Sequence, residues 1–143
     1  VGNKEPNRDD FETSAAQQPR HETLYDWEMN LERRGSNYSW SVTGYYMRYK
    51  NQLVLTGKIN DVGAYARINI PESYRAGIEL QGTVKPASWF NAAANLTFSK
   101  NRVLNFTEYS DDYDNGGQKE TFFASAPLSF SPDILGGATL NFI

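Results

Sequence analysis

The stretch SDDYDNGGQKE, Ser110 to Glu120, gathers residue types that bind divalent cations. An EF-hand loop supplies hard oxygen ligands at fixed positions, with glycine sixth and a bidentate glutamate twelfth. Asp112 and Asp114 stand first and third and Gly117 sixth, but Gly116 takes the place of the fifth ligand and Phe123 that of the glutamate. The reading is an acidic outer loop, with a looser Ca2+ contact as the alternative. The single histidine, His21, lies beside Pro19 and Arg20 with no nucleophile or orienting group near it in sequence, so it reads as an exposed loop residue. Arg8, Asp9 and Asp10 could contact a ligand or an opposite loop, yet Asn and Asp also simply favour turns. Gly116-Gly117 and Gly136-Gly137 lack the spacing and strand-to-helix setting of a phosphate cradle. Cysteine is absent, which removes thiolate metal sites, disulfides and Cys nucleophiles. No catalytic, cofactor-binding or metal-ligating residue is therefore assigned, the chain is read as non-enzymatic, and substrate-binding residues stay unknown.

Other polar residues fall on one side of strands. In LYDWEMNLERRG, Tyr25, Trp27, Met29 and Leu31 alternate with Asp26, Glu28, Asn30 and Glu32. In SYRAGIELQGTVK, Tyr74, Ala76, Ile78, Leu80 and Val84 alternate with Arg75, Glu79, Gln81 and Thr83. Period two means strands with one apolar and one wet face. The same rhythm runs through NYSWSVTGYYMRYK, through Phe90 to Ser99, through TFFASAPLSF and through ILGGATLNFI. These are six candidate strands of roughly nine to twelve residues, about the length that spans a bilayer when tilted. Short connections are expected at Arg34–Asn37, Lys85–Ser88 and Ser131–Asp133, each with turn-forming residues. Long ones are expected at about 2–22, 50–72 and 100–120. Alternating short and long loops is the layout of an outer-membrane barrel. On that reading Asp26, Glu28, Glu32, Arg75 and Glu79 line a wet lumen, while Tyr38, Trp27 and Trp40 anchor the interface from the lipid side. Six strands cannot close such a barrel, so a piece of a larger one is expected, starting unnaturally at Val1-Gly2-Asn3.

Composition agrees. The chain has 143 residues, 14% of them aromatic, and a formal charge of −3. Its pI near 5.1 carries no nucleic-acid footprint, and a mean hydropathy of −0.63 excludes a helical membrane protein but not a strand-spanning one.

Several stretches resemble the C-terminal half of TonB-dependent outer-membrane receptors. VGNKEPNRDDF resembles a strand end followed by the family's Asn-x-Glu-Pro-x-Arg-x-Asp loop, and YYMRYKNQLVLTGKINDVG a strand entering a large outer loop. SYRAGIEL is similar to the strand returning from it, NLTFSKNRV to the next ascending one, and PLSFSPDILGGATLNF to a later periplasmic turn with its flanking strands. The resemblance implies an all-β, antiparallel up-and-down meander forming part of a 22-stranded transmembrane barrel, with residues 1–143 a barrel segment lacking the plug, the TonB box and the family's final strand beyond Ile143. It further implies import of a scarce nutrient, such as a siderophore-chelated metal, a cobalamin or a glycan, across a Gram-negative outer membrane. The implied partners are outer-membrane lipid, the parent chain's plug, TonB through that plug and the imported ligand. No cofactor is implied. Two alternatives stand beside it: a soluble all-β binding module stacking carbohydrate on its Tyr and Trp, and a small closed outer-membrane barrel. An isolated piece is expected to associate edge to edge.

Overall fold

The computed structural model describes residues 1–13, 18–60, 63 and 65–142. Its elements are β1 (Gly2–Lys4), α1 (Arg8–Thr13), β2 (Glu22–Arg34), β3 (Tyr38–Ile59), β4 (Tyr65–Ala87), β5 (Phe90–Asp111), β6 (Gln118–Pro127) and β7 (Ile134–Phe142). They form one antiparallel sheet in the order β1-β2-β3-β4-β5-β6, with β7 also pairing β5. The fold class is thus all-β and meandering, as the alternation predicts. Among the described residues no helix is long and apolar enough to cross a membrane, which says nothing of crossing by strands.

Three expectations are corrected. The long loops at 50–72 and 100–120 are mostly strand: β3 runs on to Ile59, β4 starts at Tyr65, β5 reaches Asp111 and β6 begins at Gln118. Alternation lapses there because Asn51 (φ 54°), Gly57 (φ 82°) and Asn105 (φ 53°) adopt left-handed backbone inside strands. Such residues break the pleat and its facing pattern. In sequence they look like turn signals. Asp61, Val62 and Ala64 of the predicted loop lie outside the described residues. The segment 2–22 likewise holds β1 and α1 rather than loop alone. The connections between β3 and β4 and between β5 and β6 span five and six residues, against three at 35–37 and two at 88–89, so the expected contrast of loop lengths shrinks to a few residues.

The third correction concerns Ser131-Pro132-Asp133. The chain does not reverse there. β6 pairs β5 from Arg102↔Pro127 upward in β5, and β7 pairs it from Phe98↔Ile134 downward, both antiparallel. The tight Ser88-Trp89 turn puts β4 along the other edge of β5. Four steps along β5 (98 to 102) therefore face seven along its partner (127 to 134), an excess of three residues. Residues 128–133 are a wide bulge in one descending ribbon, not a hairpin. Pro127 and Pro132 have no N–H for a ladder, and Phe130 is left-handed (φ 58°), so pairing lapses and resumes at Ile134.

By internal contacts the chain divides into two units. Unit one comprises Val1–Tyr25, Arg48–Tyr74 and Arg102–Ser129; unit two comprises Asp26–Met47, Arg75–Asn101 and Phe130–Ile143. Unit one has a small core: Ala66, Ile70, Val103 and Ala126 are buried, along with Thr56 and Ser73. Polar pairs knit it, Arg48 with Glu72 and the Ser73 hydroxyl with Gln52. None of the described residues' four buried hydrophobic side chains belongs to unit two. Unit two therefore has no buried apolar core among its described residues.

Candidate functional site

Unit two presents two unlike faces. Residues at i and i+2 of a strand share a face. One face carries Trp27 (56% exposed), Met29 (79%) and Leu31 on β2, Trp40 on β3, Ile78 and Val84 on β4, Leu96 and Phe98 on β5, and Ile134 and Leu140 on β7, all exposed. Exposed apolar area this continuous marks contact with a membrane or a partner. Aromatic pairs stud it: Trp27 lies 5.8 Å from Tyr46, and Phe90 lies 5.1 Å from Phe142, its register partner, with Trp89 beside both.

The opposite face is polar. A concavity of about 410 Å³ is lined by Glu28, Arg75 and Glu79 among other residues, and one of about 680 Å³ by Glu32, Arg34, Gln81 and Asn95. Two cross-strand bonds hold the wall: Asn30 Nδ2 donates to the Thr43 hydroxyl at 2.8 Å, and the Ser39 and Thr83 hydroxyls meet at 2.5 Å; within β2, Arg34 pairs with Glu32 at 3.4 Å. Gly77 gives this face a close fit, since a Cβ there would come within 2.5 Å of the Tyr45 hydroxyl and 2.6 Å of the Phe98 carbonyl oxygen. The bulge is pinned to the same wall. The Ser99 N–H donates to the Asp133 carbonyl (2.8 Å), its hydroxyl to that of Pro132 (2.9 Å), and Ser131 and Pro132 line the smaller concavity.

Of the residues predicted for the wet wall, Glu28, Arg75 and Glu79 come together, Glu32 lines the second concavity, and Asp26 lines neither. Trp27, Trp40 and Tyr38 are exposed. His21 is exposed outside any strand. Asp10 does bond across to another element, meeting Arg67 of β4 at 3.4 Å within unit one. The acidic loop is a self-contained turn: the Asp112 carboxylate accepts from the Asn115 side chain and from the backbone N–H groups of Asn115 and Asp114, each at 3.1 Å. The Asn115 side chain, then its backbone N–H, hold the Asp112 carboxyl below its ordinary 3.8. Among the described residues no three His, Asp or Glu side chains converge as a metal would need. Reasoning from sequence missed Gln118, whose side chain donates to the Gly57 carbonyl (2.8 Å) and accepts from the Ile59 N–H (3.1 Å), and Asn69, which holds Arg20. No local pattern advertises either, because each partner is distant in sequence.

Unit two, greasy on one side and wet on the other and with no buried hydrophobic side chain among its described residues, has the two faces of a barrel wall. The match to known families agrees: residues 20–142 fit the family described as TonB dependent receptor-like, beta-barrel, and the chain belongs to that family. Its members are outer-membrane receptors and transporters, not enzymes, and work with a plug and with TonB. No curated protein and no solved structure matches the chain.

Proposed function

We propose that residues 1–143 form one stretch of the wall of a 22-stranded outer-membrane barrel in a Gram-negative cell, whose parent receptor imports a scarce nutrient: a chelated metal such as a siderophore complex, a cobalamin or a glycan. One observation carries the reading. Most large exposed apolar side chains of unit two share one face, opposite a face that holds Glu28, Glu32, Arg75 and Glu79 with the hydroxyls of Ser39, Thr43 and Thr83, while Leu135 lies on the polar side. In this reading the apolar stripe faces lipid, because a strand in a bilayer alternates apolar outward and polar inward. Glu28, Arg75 and Glu79 face the plug supplied elsewhere by the parent chain, where charge-assisted bonds to plug side chains hold it. TonB acts through that plug and not through these strands.

Two measurements test this. Trp27 and Trp40 of the full receptor, reconstituted in brominated lipid, are expected to lose fluorescence, whereas full emission would place the stripe away from lipid. Cells lacking the parent gene are expected to lose TonB-dependent uptake of one class among labelled ferric siderophores, cyanocobalamin and oligosaccharides. Unimpaired uptake of all three would reject the transport role.

A further inference from the structure

Between β1 and β2, Asp10 and Arg20 bond to β4 within unit one. α1 opens with reciprocal bonds, the Asp10 N–H donating to Asn7 Oδ1 and the Asn7 N–H to Asp10 Oδ2, both at 2.9 Å. This is the geometry of a capping box, written here as Asn-x-x-Asp. The other Asp10 oxygen accepts from the Arg67 guanidinium at 3.4 Å, and Asp10 is only 5% exposed. Ten residues on, Asn69 grips the backbone of Arg20. Its Oδ1 accepts the Arg20 N–H (2.7 Å) and its Nδ2 donates to the Arg20 carbonyl (2.9 Å) and to the Asn51 carbonyl (2.6 Å). An amide side chain that reads one residue's N–H and C=O does what a neighbouring strand does. Arg67 and Asn69 lie two apart and so share a face of β4, opposite the buried Ala66 and Ile70.

We propose that this face of β4 is a binding site for a carboxylate-bearing, peptide-like ligand, filled in the resting chain by its own strap, residues 7–13 and 18–20. Asp10 supplies the carboxylate to Arg67, and the Arg20 peptide group supplies the N–H and C=O to Asn69. An incoming ligand with the same two groups displaces the strap by taking both partners. Among the described residues of the strap these attachments to β4 are polar, and Phe11 stays exposed. Segments with few buried apolar contacts open locally without unfolding the sheet. A ligand shifts such an equilibrium only by binding the open state better, which competition for Arg67 and Asn69 provides. The inference rests on the receptor reading and narrows it to a ligand class.

Hydrogen exchange of the full receptor in outer-membrane vesicles tests it, following residues 5–13 and 18–24 against β5. The probe is a capped Ala-Asp-Ala-Ala peptide, compared with sodium chloride at equal ionic strength. In the unaltered receptor the peptide is expected to speed strap exchange about tenfold, the size of one net hydrogen bond, with β5 unchanged. Arg67→Gln and Asn69→Ala are expected to speed it similarly and to abolish the response to peptide. If Asn69→Ala also loosens β5, Asp10→Asn, which keeps the shape of the cap, decides on the same readout. Chloride acting as strongly as the peptide, or unchanged strap exchange in the variants, would overturn the site. Failed nutrient uptake with a strap that still responds to the peptide would reject the transport role and leave the site standing.

Discussion

Asp112 and the glycines set the two sharpest expectations for single residues. The Asp112 carboxyl is held below 3.8 by its bonds to Asn115 and Asp114. A depressed carboxyl favours the folded turn at any pH above the unfolded value, and that contribution is lost as pH falls through the folded one. The Asn115 and Asp114 amides are therefore expected to stay protected at neutral pH and lose protection only below 3.8. Asn115→Ala should raise the Asp112 titration midpoint toward that ordinary value, as followed by carboxyl NMR. An unchanged midpoint would mean the turn bonds are not its cause. Gly57 combines a left-handed φ of 82° with a position where a Cβ would collide with the Tyr109 carbonyl oxygen. Gly57→Ala is expected to cost about 1–3 kcal/mol through strain and overpacking. Open Gly44, with nothing within 4 Å, is the control that should cost less. Thermal loss of heat-modifiable gel mobility measures both.

Among the elements, legibility from sequence divides with backbone regularity. In β2 from Tyr25 to Leu31, in β4 from Tyr74 to Val84 and in β5 from Phe90 to Phe98, strict alternation was enough to assign both strand and facing. Where Asn51, Gly57 and Asn105 turn left-handed, the same strands continue but the period does not, and they read as loop. Ser131-Pro132-Asp133 reads as a turn for a different reason. Pro, Ser and Asp mark a bulge as readily as a turn, and only the partner strand decides whether the chain reverses. Of the polar site, the faces were legible and the clustering of Glu28, Arg75 and Glu79 followed from them, whereas Asn69 and Gln118 act over distances in sequence that no local pattern encodes. The bulge makes its own prediction. Deleting Ser129, Phe130 and Ser131 leaves four steps between Pro127 and Ile134, matching the four between Phe98 and Arg102. The variant is expected to fold with a continuous ribbon on β5, slowing exchange at Lys100 and Asn101. Failure to reach the membrane would show that the excess residues are needed for folding itself.

At the scale of the whole molecule, the strands settle what kind of body this is. β3, β4 and β5 have 22, 23 and 22 residues, about twice what a tilted strand needs to cross the bilayer. In the barrel reading proposed above, the membrane takes only part of each, and the exposed apolar stripe of unit two is the part suited to it. The two faces of that unit should then answer a charge oppositely. Leu31→Arg and Leu140→Arg place a guanidinium on the apolar face, where the cost rises to about 2–4 kcal/mol at the bilayer midplane. Gln81→Arg places the same group on the wall of the larger concavity, where water and Glu32 are available to it. In the full receptor, the first two variants are expected to lower the denaturant midpoint for unfolding from liposomes and to reduce the amount assembled in the outer membrane, while Gln81→Arg leaves both near the unaltered values. Equal sensitivity on the two faces would mean that neither looks at lipid. The reverse order, with Gln81 intolerant and Leu31 indifferent, would make the apolar stripe a surface bathed in water and the polar wall the packed side, and the barrel reading would fall with it.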